Sequence, residues 1–295
     1  MRHRLTLTIL TGLILGSVSS NVHAQNGAAG DTAAKVAAPL PDAKVVVDRM
    51  IGFLGGREAF KDLPPMTATG GFAIPAMNLN GKMTTWSAPP NLMKVEMDIP
   101  GLGKTLTGFN GTVGWSIDPN RGPSLMDGAM LDEIRRESTR TSEIDILTYY
   151  DSVKVTGRET FNDADCVVLE LRKGDVLSTR LIEETTGRPV ATRTKMPTPM
   201  GEIPATTIFD TWMTTGKIKT PSKTTIKVMN VEQVLTIDKV TPGKIAPDVF
   251  SLPPAIEALE KARKAKQESE AEAGSTGDET EAGQPSAPAA SENRQ

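Results

Sequence analysis

The chain has 295 residues, with 33 Lys and Arg, 36 Asp and Glu, two histidines and one cysteine. Both histidines, His3 and His23, lie in the first 24 residues. Without that stretch the chain has no imidazole and one thiol, which excludes Ser-His-Asp and Cys-His catalysis, HExxH zinc sites and an intrachain disulfide. The stretch holds two arginines and no acid, so its removal changes the formal net charge from −3 to −5. This charge gives no electrostatic basis for binding nucleic acid.

The N-terminus has the features of an export signal. Met1 to Arg4 is basic, Leu5 to Val18 is apolar, and Val22-His23-Ala24 places small side chains before Gln25. The apolar run is shorter than the roughly 20 residues of a membrane span. We therefore predict a cleaved signal peptide over residues 1–24 and an exported protein that does not span the membrane. Lipid attachment at the new N-terminus is not expected, because Gln25, not a cysteine, follows the predicted cleavage site.

Composition divides the remaining chain into three parts. Residues 25–41 are rich in Ala, Gly and Pro and predict a flexible leader. Residues 42–254 are long enough for one large, mainly β domain. Residues 255–295 predict a helical start, over about Ala255 to Lys266, and then a disordered acidic tail, because the tail lacks the apolar side chains needed to offset ordering entropy.

A helix is predicted at the start of the domain, over Asp42 to Phe60, with a C-cap at Gly55-Gly56. Its apolar positions form one stripe, made of Val46, Val47, Met50, Ile51 and Leu54.

From Met66 onward the pattern predicts strands joined by short turns. The clearest alternation runs from Asn91 to Ile99, with apolar side chains on one face and Lys94, Glu96 and Asp98 on the other. Turn dipeptides such as Asn80-Gly81 recur along the chain. Besides segments near Gly70–Ala76 and Met93–Ile99, the candidate strands are Lys82–Ser87, Lys104–Phe109, Val113–Asp118, Ser152–Glu159, Cys166–Arg172, Val176–Glu183, Pro189–Thr194, Thr206–Thr214, Lys223–Met229 and Glu232–Val240.

A helical insert, Ala129 to Tyr150, interrupts these strands. Strands with hairpin-length connections on both sides of it favour one antiparallel meander. The two helical segments, one N-terminal and one central, would cover the apolar face of so wide a sheet. The expected fold is therefore mainly β (α+β): an incomplete antiparallel β-barrel of about 11–12 strands, with helices over an apolar concave face.

Motifs for catalysis are incomplete. Gly101-Leu102-Gly103-Lys104-Thr105 lacks the first glycine of a phosphate loop, because Asp98 stands there. Gly114-Trp115-Ser116-Ile117-Asp118 ends in Asp where a nucleophile elbow has Gly, and no histidine activates its serine. Cys166 lies in a strand-like apolar run and is expected to be buried and inert. We predict a protein that is not an enzyme and needs no metal or cofactor.

Methionine is frequent for so few aromatic residues, with 13 Met against 7 Phe, 2 Tyr and 3 Trp. Flexible, polarisable methionine side chains suit surfaces that accept varied apolar ligands, although they also fill ordinary cores. Both interpretations stay open on composition alone.

The sequence resembles the superfamily of periplasmic lipoprotein-sorting carriers and related lipoprotein-binding proteins, the LolA/LolB-like group. The resemblance covers about Ala43 to Pro254 and consists of a spacing of glycines, tryptophans and strand breaks. The positions that carry it are Leu54-Gly55-Gly56-Arg57-Glu58-Ala59, Gly81, Trp86, Pro89-Pro90-Asn91, Gly108-Phe109-Asn110-Gly111-Thr112-Val113-Gly114-Trp115, Gly157, the Cys166 strand, Thr186-Gly187 and Phe250-Ser251-Leu252-Pro253.

The resemblance implies an incomplete barrel with a helical lid over a hydrophobic cavity, and a periplasmic location. The expected function is a carrier or binding protein for lipid or lipoprotein acyl chains, acting as a monomer. The alternative is a sensory or structural domain of the envelope that has a packed barrel and binds envelope proteins. For ligand contacts we select residues of the predicted strands, namely Met93, Val95, Met97, Ile99, Leu106, Trp115, Leu169 and Leu171. Ordinary core packing is the alternative role for all eight.

Overall fold

A computed structural model describes residues 38–139, 141–198 and 201–275. The predicted signal peptide, most of the leader and the end of the tail lie outside the described residues. The helices are α1 Ala43–Leu54, α2 Arg57–Lys61, α3 Gly128–Ser138, α4 Ile146–Tyr149 and α5 Pro254–Ser275. The strands are β1 Met66–Ile74, β2 Leu79–Ala88, β3 Leu92–Ile99, β4 Gly103–Asn110, β5 Gly114–Asp118, β6 Gly122–Leu125, β7 Ser152–Phe161, β8 Ala164–Lys173, β9 Val176–Glu183, β10 Pro189–Thr198, β11 Gly201–Thr215, β12 Ile218–Val228 and β13 Val231–Pro242. Short 3₁₀ turns span Pro75–Met77 and Pro247–Phe250.

The strands form one antiparallel sheet of 13 strands in the order β6-β5-β4-β3-β2-β1-β13-β12-β11-β10-β9-β8-β7. Two meanders, β1–β6 and β7–β13, thus meet at the pairing of β1 with β13. The sheet does not close, because β6 and β7 are its two edges. This architecture confirms the predicted incomplete antiparallel barrel.

The predicted elements differ from the observed ones in three places. Strand β6 was not expected, because its sequence Gly-Pro-Ser-Leu has no apolar alternation. The segment from Asp42 to Phe60, predicted as one helix, forms two helices, α1 and α2, separated at Gly55-Gly56. Helix α5 continues beyond Lys266 to Ser275, because its Ala-, Glu- and Lys-rich sequence has high helix propensity.

Helix α1 begins where its sequence predicts and ends at the predicted glycine cap rather than at Phe60. The side chain of Asp42 accepts a hydrogen bond from the amide of Lys44 at 2.7 Å, and the helix ends before Gly55. All five apolar residues of its predicted stripe are buried.

Helices α1, α3 and α4 lie on one side of the sheet, which we call the inner face. Helix α1 contacts β7 and β12, and α4 contacts β7. Together they cover a cluster that we call the packed end. Its buried sheet residues are Val167, Leu169, Leu171, Ile182 and Ile218.

At the other end of the sheet, α3 contacts β4 and β5. Phe109, Met126 and Ile134 form a second buried cluster there, with Met93 packed against it. A Cβ atom at Gly114 would lie 2.9 Å from Cγ2 of Ile134, so α3 packs directly on the backbone of β5.

The C-terminal segment covers the opposite, outer face of β3–β6. Trp115 projects to the outer face, where a Cβ atom at Gly108 would lie 2.5 Å from its ring, and only 1% of Trp115 is exposed. The Pro247–Phe250 turn contacts β3 and β4, and α5 contacts β6. Within the part of the chain that the structure describes, no helix is long and apolar enough to cross a bilayer.

Candidate functional site

An apolar strip crosses the inner face between the two helical covers. We call it the central strip and define it as Phe72, Met83, Val95, Met97, Leu235 and Ile237. The strand register places them side by side, since Met83 pairs with Met97 and Phe72 pairs with Leu235. Phe72 is 9% exposed, and the other five side chains are partly exposed. Solvent therefore reaches an apolar surface on the inner side of the sheet.

The alternation of β3 is observed on the sheet as predicted from sequence. Met93, Val95 and Met97 pair with Phe109, Thr107 and Thr105 of β4, so these side chains share the inner face. Ile99, at the end of the strand, lies on the same side and pairs with Gly103. All four predicted contacts on β3 are partly exposed. Met93 lies closest to α3, because it packs against the Phe109 cluster.

Two predicted contacts on β8 also lie on the inner face but within the packed end. Leu169 is 0% exposed and Leu171 is 1% exposed. Residues of α1 and α4 belong to the same cluster and fill the space above these leucines. A ligand reaches them only if those helices move.

The remaining two predicted contacts, Leu106 and Trp115, project to the outer face. Leu106 pairs with Glu96 and Ile117, and Trp115 pairs with Gly108. The pairing of Ile99 with Gly103 at the β3–β4 turn sets this register, so Thr105 and Thr107 face inward and Leu106 faces outward. The structure does not bring these two side chains together with the other six.

An ion pair lies on the inner face at the edge of the packed end, and sequence reasoning missed it. Arg180 of β9 is 7% exposed. Its Nη1 donates to Oε2 of Glu143 at 2.6 Å, and its Nη2 donates to Oε1 at 3.3 Å. Nη1 also lies 3.8 Å from the sulfur of Met50 on α1. Nothing in the local sequence joins Arg180 with Glu143, which come together only because the linker between α3 and α4 crosses β9.

The two partners of this pair differ in exposure. Burial opposes the charge of Glu143, yet the neighbouring Arg180 guanidinium outweighs it and lowers the pKa of this carboxyl. The Glu143 side chain is nevertheless 40% exposed. The carboxylate is therefore bound to the guanidinium on one side and reached by water on the other.

Glu137 on α3 shows the same combination. It is exposed by surface area, yet burial, reinforced by repulsion from Glu133, raises its pKa to about 7. Arg136, one residue away, opposes this shift. Glu137 therefore combines an exposed side chain with a raised pKa, and Glu133 is the neighbouring charge that adds to the shift.

The linker between α3 and α4 is held by two arginines. Arg57 donates from Nη1 to the carbonyl oxygen of Ile144 at 2.7 Å, and Arg180 binds the adjacent Glu143. Arg57 also pairs with Asp48 of α1 at 3.0 Å. The linker is thereby tied both to the N-terminal helices and to the sheet.

Neither a thiol nor a metal-binding cluster lies on the inner face among the residues that the structure describes. The lone thiol, Cys166, is buried on the outer side of β8, where burial raises its pKa to about 11 and keeps it protonated. Among the described residues, no cluster of three or more His, Cys, Asp or Glu side chains could hold a metal ion. A separate open recess of about 460 Å³ lies along α5, away from the inner face, and most of its lining residues are charged residues of that helix.

No protein-family model and no curated protein matches the sequence. The structure is similar to that of a LolA superfamily protein from Nitrosomonas europaea, with 12% identity, a TM-score of 0.49, and coverage of 72% of this chain and 99% of that one. A DUF1329 family protein from Desulfovibrio piger has the same identity and TM-score, with 71% and 97% coverage. A putative outer membrane lipoprotein-sorting protein domain from Vibrio parahaemolyticus has 12% identity, a TM-score of 0.46, and 70% and 96% coverage.

Proposed function

We propose that this protein is an exported, periplasmic binding or carrier protein that holds acyl chains of a lipid or lipoprotein on its inner face and performs no chemistry. The observation that carries the proposal is the central strip, an apolar surface that lies inside the half-barrel and stays partly exposed. A soluble protein gains stability by covering such a surface, so its exposure suits a ligand that covers it.

The strip has the chemistry of an acyl-chain site. Met83 and Met97 are flexible and adapt to a chain of variable shape, and Val95, Leu235 and Ile237 add apolar area. At about 0.8 kcal/mol per buried CH₂, a dodecyl chain gains at most roughly 9 kcal/mol from full burial. Of the eight contacts selected from sequence, we retain Met93, Val95, Met97 and Ile99 as direct ligand contacts.

A charged side chain in the strip tests this proposal. Met97→Lys places an ammonium group on the inner face, and we expect it to reduce binding of a fluorescent fatty acid at least tenfold, because the acyl chain would have to desolvate that charge. Thr84→Lys is the matched control, since Thr84 is partly exposed on the outer face of the neighbouring strand and pairs with Glu96. Fluorescence titration of both variants and the unmodified protein measures their affinities for the fatty acid.

Native mass spectrometry of protein purified from the bacterial envelope provides an independent measurement. Co-purified lipid or lipoprotein is the expected result. Repeated recovery of bare protein, with no uptake of the fluorescent fatty acid, would contradict the carrier function. That result would favour the alternative of an envelope interaction domain with a packed barrel. The packed end, where helices already fill the inner face, is the observation that supports this alternative.

A further inference from the structure

We propose that Arg180 binds the anionic head of the ligand, and that Glu143 occupies this position when no ligand is bound. The inference rests on the proposed function and specifies its ligand class: an amphiphile with one carboxylate or phosphate group on an alkyl or acyl chain.

Arg180 has the properties of an anion-binding residue. Its side chain lies on the inner face and is buried, so its charge requires a partner. It presents Nη1 and Nη2 together to the two oxygens of one carboxylate, the geometry with which arginine recognises carboxylate and phosphate groups. Its Nε is also buried and has no hydrogen-bond partner among the described residues, so one donor remains for an additional acceptor.

Glu143 is a replaceable partner. It does not belong to the sheet but to the linker between α3 and α4, and its side chain is 40% exposed whereas that of Arg180 is 9% exposed. Water therefore reaches the carboxylate side of the pair. A ligand anion that approaches from this side can take over the guanidinium while Glu143 turns to solvent.

The position of Arg180 matches one end of a ligand lying across the central strip. On the inner face Arg180 pairs with Thr192 of β10, and the same row continues through Thr207 and Ile226 to Gln233 of β13. Four strand spacings separate β9 from β13, which is roughly 19 Å at about 4.8 Å per strand. A twelve-carbon chain with its polar end at Arg180 would lie along this row and end near β13, at the border of the central strip, and a longer chain would reach the strip itself.

The outer face contains a pair that serves as an internal comparison. Arg193 donates from Nη1 and Nη2 to the two carboxylate oxygens of Glu159 at 2.9 and 2.6 Å. This pair has the same bidentate form but lies on the opposite side of the sheet from the helices and the central strip. Neutralising Glu159 alters the charge of the protein as much as neutralising Glu143 does.

Isothermal titration with laurate, dodecyl phosphate and dodecanol tests the inference on the full-length mature protein. We expect both anions to bind about tenfold more tightly than dodecanol, as a charge-assisted hydrogen-bonded pair implies. Glu143→Gln should tighten laurate and dodecyl phosphate several-fold and leave dodecanol unchanged, because the internal competitor is lost. Glu159→Gln should change none of the three. A preference for only one of the two anions identifies whether the head is a carboxylate or a phosphate.

The double variant Glu143→Gln/Arg180→Gln removes both charges and avoids leaving either one unpaired. It should bind all three probes with the affinity of dodecanol. Equal binding of the three probes to the unmodified protein, with no response to Glu143→Gln, would overturn the role of Arg180 and leave the carrier function intact. Failure of all three probes to bind would overturn the carrier function together with this inference.

Discussion

The packed end and the central strip lie on the same face of the same sheet, yet only one is covered. At the packed end, Leu169 and Leu171 are sealed beneath α1 and α4. On the central strip, Val95 and Met97 have the same alternating pattern but stay partly exposed. Alternation therefore tells which side of a sheet a residue faces, and the length and placement of the helices decide whether it is covered.

We expect the largest difference in the free energy of unfolding when one residue of each region is truncated to alanine. Leu169→Ala should lower the free energy of unfolding by about 2–5 kcal/mol, because it leaves a cavity that α1 cannot fill. Met97→Ala should lower it by about 1 kcal/mol or less, because its side chain is partly in water already. Urea denaturation monitored by circular dichroism measures both. Equal losses would mean that Met97 is as tightly packed as Leu169 and that no open strip exists.

A second contrast concerns the contact between α3 and the backbone of β5. Gly114→Ala should destabilise the protein by about 1–3 kcal/mol, because the added Cβ would approach Ile134, Leu131 and Met126 at 2.9 to 3.2 Å. Gly157→Ala is the control, since it adds the same methyl group where no atom lies within 4 Å. Thermal unfolding of the two variants gives the comparison. A destabilisation as small as that of the control would show that α3 is free to shift.

The smallest expected effect concerns pH. The raised pKa of Glu137, about 7, means that the folded protein holds this proton more tightly than the unfolded chain does. The stabilising contribution of Glu137 to the free energy of unfolding is therefore fully present below the ordinary glutamate pKa of 4.5. It is lost as the pH rises through 7. Glu137→Gln should match the unmodified protein at pH 4 and be more stable at pH 8, by less than about 1 kcal/mol because the group is exposed.

Melting temperatures of the two proteins at pH 4, 6 and 8 measure this difference. A gap that does not change with pH would show that the pKa of Glu137 is not raised in the folded protein.

The fold was predictable to the extent that local patterns determine it. The stripe of α1, the alternation of β3 and the helical insert all follow from spacing, and each is present. The orientation of β4 was not predictable in the same way. Its side chains could be assigned to a face only once the pairing of Ile99 with Gly103 was known, because a shift of one residue exchanges the two faces of a strand.

The site was predictable only in part for a related reason. The alternation within one strand identifies the apolar residues that share a face, such as Val95 and Met97. The pairing of Arg180 with Glu143 depends on where the linker between α3 and α4 crosses the sheet, and no local rule determines that crossing. Arginine and glutamate are also the residues that a sequence-based interpretation assigns first to the solvent.

Each terminal segment of the chain packs on the meander that is farther from it in sequence. Helix α1 precedes the first meander but packs on strands of the second, and the chain that follows the second meander packs on β3, β4 and β6 of the first. Each half of the sheet therefore lacks part of its cover, although α3 and α4 lie on the halves next to them. Separated halves would expose apolar surface that only the other half can shield, so we expect fragments produced by a cut between β6 and β7 to fold only when they reassociate. We expect such mutual dependence to make the whole domain unfold as a single cooperative unit.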